Sequence, residues 1–232
     1  IREVYGDGIT GIFDKSSGTL PFKAGLNAQD EYLPGSSHAE PVLENGNRFL
    51  VNWERGQKTG FFIDQRENRA LVGHYARGRS VLNTFSYTGG FSVYALQGGA
   101  VRVDSVDSSQ RAVDLAAENV ALNFGNDAPH RAIGQDAFDF LKNPTDPYDL
   151  IILDPPAFAK HHKVLGNALK GYQRLNAQAI ARINPGGILF MFILPLAVSK
   201  DHSRQAVLSS PAPPDSTARM LQQSATPASH TQ

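Results

Sequence analysis

Five short runs of apolar and β-branched residues, at 80–85, 101–107, 130–135, 149–154 and 187–194, alternate with stretches of helical periodicity. This alternation constrains the fold more than any other feature. A strand, a helix and a further strand return a parallel neighbour to the same sheet. Residues 149–153 are nearly all apolar, as a central strand covered on both faces requires. Asp64 and Glu67 have capping-box spacing and open a helix that carries Leu71 and Tyr75 and stops at Gly78. Phe91, Tyr94 and Ala95 share a face of the next helix. Ser108 or Ser109 caps a longer one with Ala112, Leu115, Ala116 and Val120 inward. Leu169, Tyr172, Leu175, Ala179 and Ile183 form another apolar stripe. The expected class is α/β, an open parallel sheet with helices on both faces.

Two other regimes flank this one. Residues 1–60 are rich in Gly and Asn, and the segment 4–13 is broken by Gly6, Gly8 and Gly11, which suits turns. Glu44-Asn45-Gly46-Asn47 reads as a type I′ hairpin turn between strands at 41–43 and 48–53. A small antiparallel β-rich subdomain is expected there, with Trp53 in its core. The sheet domain is expected over 61–200. Beyond it, 201–232 has no aromatic residue and clusters Pro211, Pro213 and Pro214. A disordered tail, with room for a short helix at 203–208, is expected because so little apolar area cannot offset chain entropy.

Composition removes several function classes. Lys plus Arg is 22 and Asp plus Glu is 22, so the net charge is +0. A globally cationic nucleic-acid binder is excluded, and any such contact must use a local patch. Cysteine is absent, with a count of 0, so no disulfide, thiolate ligand or Cys nucleophile is available. The longest apolar candidate, 188–198, is too short to span a bilayer and contains Pro195. The chain starts Ile1-Arg2-Glu3 without Met or a signal-like segment, as a fragment, processed product or trimmed chain would. A cytoplasmic protein with no membrane contact is expected, and no metal site, since His161 and His162 are adjacent and lack suitably spaced partners.

In open α/β sheets, ligands bind beyond the carboxyl ends of the strands. The first tip reads Asn83-Thr-Phe-Ser-Tyr-Thr-Gly-Gly90. It carries Phe85, Tyr87 and Thr88 where a dinucleotide cradle has bare backbone, so a ligand without phosphate suits it better, and a generic turn is the competing reading. The second tip presents Asp107, about 20 residues after the glycine turn, able to accept two ribose hydroxyls or to cap the next helix. The third presents Asp136, Ala137 and Phe138: a carboxylate for an exocyclic amine and a ring for an adenine face, or another helix cap. The fourth is Asp154-Pro155-Pro156-Ala157-Phe158. Its prolines fix the exit from the strand. Asp154 is then held at the rim to accept a hydrogen bond or a proton, and Phe158 to stack on an extruded base. The alternative is a rigid turn with a packed Phe.

Taken together, the four tips resemble class I S-adenosylmethionine-dependent methyltransferases. Lys58-Thr-Gly-Phe-Phe-Ile-Asp-Gln-Arg66, Leu82-Asn-Thr-Phe-Ser-Tyr-Thr-Gly-Gly-Phe91 and Leu153-Asp-Pro-Pro-Ala-Phe-Ala-Lys160 resemble the large-subunit ribosomal RNA cytosine-C5 methyltransferase family. Lys170-Gly-Tyr-Gln-Arg-Leu-Asn176 and Asn184-Pro-Gly-Gly-Ile188 extend the likeness, which covers 40–192 well and 1–40 loosely. The resemblance implies S-adenosyl-L-methionine as cofactor, ribosomal RNA as substrate, and a Rossmann-like class I methyltransferase sheet preceded by a small β-rich subdomain. It also implies an N-terminal PUA domain, which this sequence lacks. By resemblance, Phe85, Ser86, Tyr87, Thr88 and Gly89 line the methionine side of the cofactor. Asp107 takes the ribose, Asp136 and Ala137 the adenine edge, and Asp154 and Phe158 the reaction centre. Gln65 and Arg66 approach the cofactor carboxylate or the RNA.

One departure bears on chemistry. Cytosine C5 is a poor nucleophile, and its methylation needs a Cys thiolate to add at C6. The family has Phe-Ser-Cys-Ser after the fifth strand, whereas this chain reads Phe192-Ile193-Leu194-Pro195. Leu194 stands at the nucleophile position, so no C5 transfer is expected of this form. The segment from Ile193 keeps only scraps of the likeness, as a shifted reading frame or a divergent end would. It should leave the fifth strand with an unprotected edge. Three competing readings follow: an exocyclic-amine methyltransferase using Asp154 and Phe158, a non-catalytic RNA-binding relative, and an NAD-dependent oxidoreductase disfavoured by the missing GxGxxG. Lys160, His161, His162 and Lys163 could grip phosphates or form a solvated loop cluster.

Overall fold

The computed structural model describes residues 2–18, 29–36, 40–56, 59–142, 146–156, 158 and 165–192. The expected tail at 201–232, Leu194 and the Lys160–Lys163 cluster lie outside the described residues. The chain divides into two compact units, Ile1–Leu43 with Leu50–Phe62, and Glu44–Phe49 with Ile63–Gln232.

The first unit starts differently from expectation. Instead of turns and strand throughout 4–13, it opens with a one-turn helix α1 (Arg2–Tyr5) and a 3-10 turn at Gly6–Gly8. Strand β1 (Gly11–Asp14) then pairs antiparallel with β2 (Glu31–Gly35). Gly6 takes up the reversal at φ 57°, a conformation glycine adopts without steric cost. Trp53 is half-buried, and its indole N–H donates to the Tyr32 hydroxyl at 3.0 Å, which donates to Glu54 at 2.8 Å.

Strands β3 (Val42–Glu44) and β4 (Asn47–Phe49) form a two-stranded sheet around Asn45 and Gly46. Their φ values of 50° and 82° are those a type I′ turn demands. The second strand is shorter than expected and ends at Phe49. Residues 44–49 stay with the larger unit through polar ties. Asn47 donates to Gln97 at 2.9 Å, and Arg48 exchanges backbone bonds with the Asn123 side chain at 2.9 and 2.7 Å.

The larger unit holds a five-stranded sheet, all parallel, in the order β7-β6-β5-β8-β9. The strands are β5 (Ser80–Thr84), β6 (Arg102–Asp107), β7 (His130–Gly134), β8 (Tyr148–Leu153) and β9 (Ile183–Met191). Between them lie α3 (Gly90–Gln97), α4 (Gln110–Phe124), α5 (Ala137–Lys142) and α6 (Leu165–Ile180), with α2 (Arg66–Tyr75) before β5. The chain steps outward from β5 to β7 and then returns to β8, so the topological switch lies between β5 and β8. Alternate residues of the strands feed two cores. Val81, Val103, Leu150 and Ile152 pack with Val72, Phe91 and Ala95 of α2 and α3. Leu82, Val106, Ile151 and Leu153 pack with Phe140 and Leu141 of α5 and Leu175 and Ala179 of α6. Each fully buried side chain of this size contributes on the order of 1.5–3 kcal/mol.

Three local expectations are corrected. The capping box at Asp64 does not form: Ile63–Gln65 is a 3-10 turn, and Gln65 occupies the N-cap of α2 without a side-chain cap bond. Ile183 is not on α6, which ends at Ile180. It begins β9, four residues earlier than expected, and the stretch around Gly186 and Gly187 is absorbed by a register shift opposite Tyr148 and Leu150. In α6 Ala168 is buried along with Tyr172, Leu175 and Ala179, while Leu169 is half-buried. Ser109 does cap α4, accepting from the Ala112 N–H. Among the described residues nothing pairs with the outer side of β9, and no helix is long and apolar enough to cross a membrane.

Candidate functional site

The loop after β5 is strained in a regular way. Phe85, Tyr87 and Gly89 have φ of 54°, 45° and 75°. For Phe and Tyr this region costs about 1–3 kcal/mol each and persists only when the surroundings over-determine it. The surroundings here are polar ties to the neighbouring strand and helix. Ser86 N–H donates to the Val106 carbonyl at 3.0 Å, and Tyr87 N–H donates to Asp107 Oδ2 at 2.9 Å. Gly89 N–H closes back on the Ser86 carbonyl at 2.9 Å, and Asn119 of α4 holds the Thr88 carbonyl at 2.9 Å. Gly89 must lack a Cβ for a second reason, since that atom would meet Ala116 Cβ at 2.9 Å. Inside this loop the Ser86 hydroxyl is buried and has no hydrogen-bond partner among the described residues.

Asp107 is half-buried and also accepts from Ser109 N–H at 2.9 Å. A carboxylate has about four lone-pair sites, so two remain for a ligand. The N-cap of α4 is Ser109, so Asp107 fastens the turn before the helix instead of capping it. Asp136 is exposed and accepts from Asp139 N–H at 3.1 Å, so it does start α5, while Ala137 is buried.

Asp154, at the tip of β8, is half-buried, and among the described residues nothing donates to it. Burial pushes its carboxyl up to about 7, the Asp64 carboxylate adds to the rise, and Arg69 opposes it. Phe158 is half-buried in an aromatic row. Its ring lies 4.6 Å from Tyr172 and 6.0 Å from Phe138, which meets Phe85 edge-on at 6.5 Å. A Cβ on Gly171 would meet the Phe158 ring at 3.2 Å, so glycine there makes room for it. Part of the ring surface that a base could stack on is thus already covered.

Gln65 is buried and accepts from Asn68 at 2.7 Å. Arg66 points to Glu44, 3.4 Å away. Pattern reading missed the centre of that cluster. Arg69 is buried and donates to both Glu44 oxygens at 2.8 and 2.7 Å, and Tyr94 donates to the same carboxylate at 3.0 Å. The guanidinium stem lies beneath Gly90, where a Cβ would come within 3.1 Å. No local signal marks such a group, because its partners lie 25 and 50 residues apart in sequence. Asn119 and Arg174, whose guanidinium lies 4.9 Å over the Phe138 ring, were missed for the same reason.

Comparison with known proteins identifies the site's family. The sequence profile of the S-adenosylmethionine-dependent methyltransferase family matches residues 25–214. The Ribosomal RNA large subunit methyltransferase I proteins of Aeromonas salmonicida and Serratia proteamaculans are each 40% identical over 186 residues, covering 78% of this chain and 47% of theirs. The chain thus spans about half the length of these curated relatives. The crystal structure of SMU.776 in complex with SAH superposes with a TM-score of 0.73 at 30% identity, over 89% of this chain and 53% of the other. A SAM-dependent methyltransferase from Agrobacterium tumefaciens shares the fold at a TM-score of 0.68 and 23% identity, over 89% and 66%. The profile match spans most of the chain, and the chain belongs to the S-adenosylmethionine-dependent methyltransferase family.

Proposed function

We propose that this chain is the cofactor-binding part of an RNA methyltransferase of the large-subunit ribosomal RNA class. The observation that carries the cofactor half is the closed loop at 85–89, tied to Asp107 and enclosing an unpartnered Ser86 hydroxyl. A buried hydroxyl with no partner costs about 1–3 kcal/mol, a penalty that a polar ligand group would relieve. The residues present fit the cofactor. Phe85, Ser86, Tyr87, Thr88 and Gly89 would hold the methionine side and Asp107 the ribose. Asp136 and Ala137 would border the adenine, and Gln65 and Arg66 would stand near the methionine carboxylate or the RNA. When bound, the cofactor supplies an electrophilic methyl group. The test is calorimetric titration with S-adenosylmethionine and S-adenosylhomocysteine. Saturable binding supports the reading, and its absence in a folded sample overturns it.

The class resemblance points to cytosine C5, yet the chain has 0 cysteines and no group to add at C6. This form therefore should not methylate C5. Methyl transfer from labelled cofactor to ribosomal RNA, mapped to C5, would refute that statement.

A second reading draws on Asp154. A carboxyl with no donor among the described residues, pushed up to about 7 by burial, suits proton acceptance. In amine methylation the nitrogen lone pair forms the new N–C bond, the S–CH3 bond breaks with its electrons staying on sulfur, and the surplus amine proton passes to Asp154. That route needs no Cys. Transfer mapped to an exocyclic nitrogen would select it.

A further inference from the structure

We infer that the exposed face of α6 bearing Lys170 and Arg174 grips the phosphodiester backbone of the RNA that reaches the β8 tip. This rests on the RNA methyltransferase reading and names where that substrate is held. Lys170 and Arg174 are four residues apart, so they project from one helix face. Both are exposed, and neither has a carboxylate partner among the described residues. Their position relative to the site is set by packing. Between them, Gly171 and Tyr172 abut Phe158. The Arg174 guanidinium lies 4.9 Å over Phe138, which borders both Phe85 and Phe158. Arg174 therefore stands on the aromatic row of Phe85, Phe138 and Phe158, and Lys170 lies one helical turn before it on the same exposed face.

Charge explains why they are needed there. Asp107, Asp136 and Asp154 all face this rim, and the whole chain has a net charge of +0. A polyanion would be repelled by the Asp107 and Asp136 carboxylates unless nearby cations offset them. Arg174 is also restrained by its ring contact, so less side-chain freedom is lost when it meets a phosphate.

The test uses the full chain and a labelled single-stranded RNA oligonucleotide, with affinity measured across a salt series. Each phosphate contact contributes roughly 0.7 to the log–log salt slope for single strands. Lys170→Gln with Arg174→Gln should flatten the slope by about 1–1.4 and weaken binding at ~0.1 M salt on the order of tenfold. A control removing the same charge near the amino ends of the strands, Arg77→Gln with Lys142→Gln, should leave the slope close to that of the parent. Circular dichroism checks that both variants remain folded. Charge reversal at Arg174 alone, Arg174→Glu, should weaken RNA binding further. Equal slopes for parent and α6 variant overturn the inference, as does an equal loss in the control pair. No RNA binding by the parent, or selective capture of an acidic protein by this face, overturns it as well. Cofactor titration of the parent separates the two levels. Cofactor binding with an RNA slope indifferent to α6 sinks this inference and leaves the methyltransferase reading standing. An α6-dependent slope without cofactor binding does the reverse.

Discussion

The backbone N–H of Tyr87 donates to Asp107 Oδ2 at 2.9 Å, fastening a strained loop after one strand to the tip of the next. The tether spans 20 residues of sequence and joins the two strand tips proposed to hold the cofactor. It makes Asp107 a scaffold of the loop as well as a proposed ligand group.

Asp107→Ala should therefore weaken S-adenosylmethionine binding by about 1–3 kcal/mol, roughly 5- to 150-fold, through lost hydrogen bonds to a charged acceptor. Calorimetry reads the loss. Asp107→Asn keeps one carbonyl acceptor and should lose less. An affinity unchanged in the Ala variant would remove Asp107 from the site.

Burial holds the folded Asp154 carboxyl up at about 7, against an ordinary 3.8. Between those values the folded state binds the extra proton, so stability falls as pH rises through the window. Asp154→Asn should be nearly neutral below pH 4 and should stabilise by about 1–3 kcal/mol above pH 7. Urea denaturation at several pH values measures it. A constant difference at all pH values would contradict the raised carboxyl.

His130 shows the opposite slope. Burial holds it neutral to about pH 4 from an ordinary 6.5, while the Asp104 charge opposes that shift. Its ring accepts or donates at Nε2 to the Ser105 hydroxyl at 2.7 Å, and Ser105 contacts Ser92 at 2.7 Å. Unfolded His130 takes up a proton first, so this contribution is complete above 6.5 and is lost as pH falls toward 4. His130→Gln should flatten the acid limb of the stability curve by about 1–3 kcal/mol. An acid limb identical to that of the parent would refute this.

Glu44 takes donors from Arg69, Arg66 and Tyr94 while itself buried. Removing one side of a buried pair leaves the other charge stranded. Arg69→Ala should destabilise by about 3–5 kcal/mol. Replacing both partners, Glu44→Leu with Arg69→Met, should cost less than that single change. A thermal melt in which the double variant is the weaker of the two would overturn this account.

Gly98→Ala tests the α2–α3 contact. The added Cβ would sit 2.0 Å from the Gly73 carbonyl oxygen, an overlap no side-chain movement relieves. A loss of about 1–3 kcal/mol is expected from the forced backbone shift. A variant with the parent's melting temperature would show that the helices separate freely.

Local pattern sufficed for the architecture because the signals were local. Period-two and helical repeats marked the five parallel strands and their helices. Asn45-Gly46 marked a hairpin, and Ser109 a helix cap. Asp-Pro-Pro stood out at 154–156 because proline limits the backbone wherever it occurs. Boundaries set by distant partners were not legible. Ile183 joined a strand because Tyr148 lay opposite to pair with it. The expected capping box at Asp64 gave way to a 3-10 turn. The electrostatics of the site were equally invisible in one dimension. Asp154 is pushed to about 7 by burial and by Asp64, which lies 90 positions earlier in the chain. Arg69 serves Glu44 only because a hairpin and a helix meet in space. A residue's charge state and partners follow from what surrounds it, and folding alone assembles those surroundings.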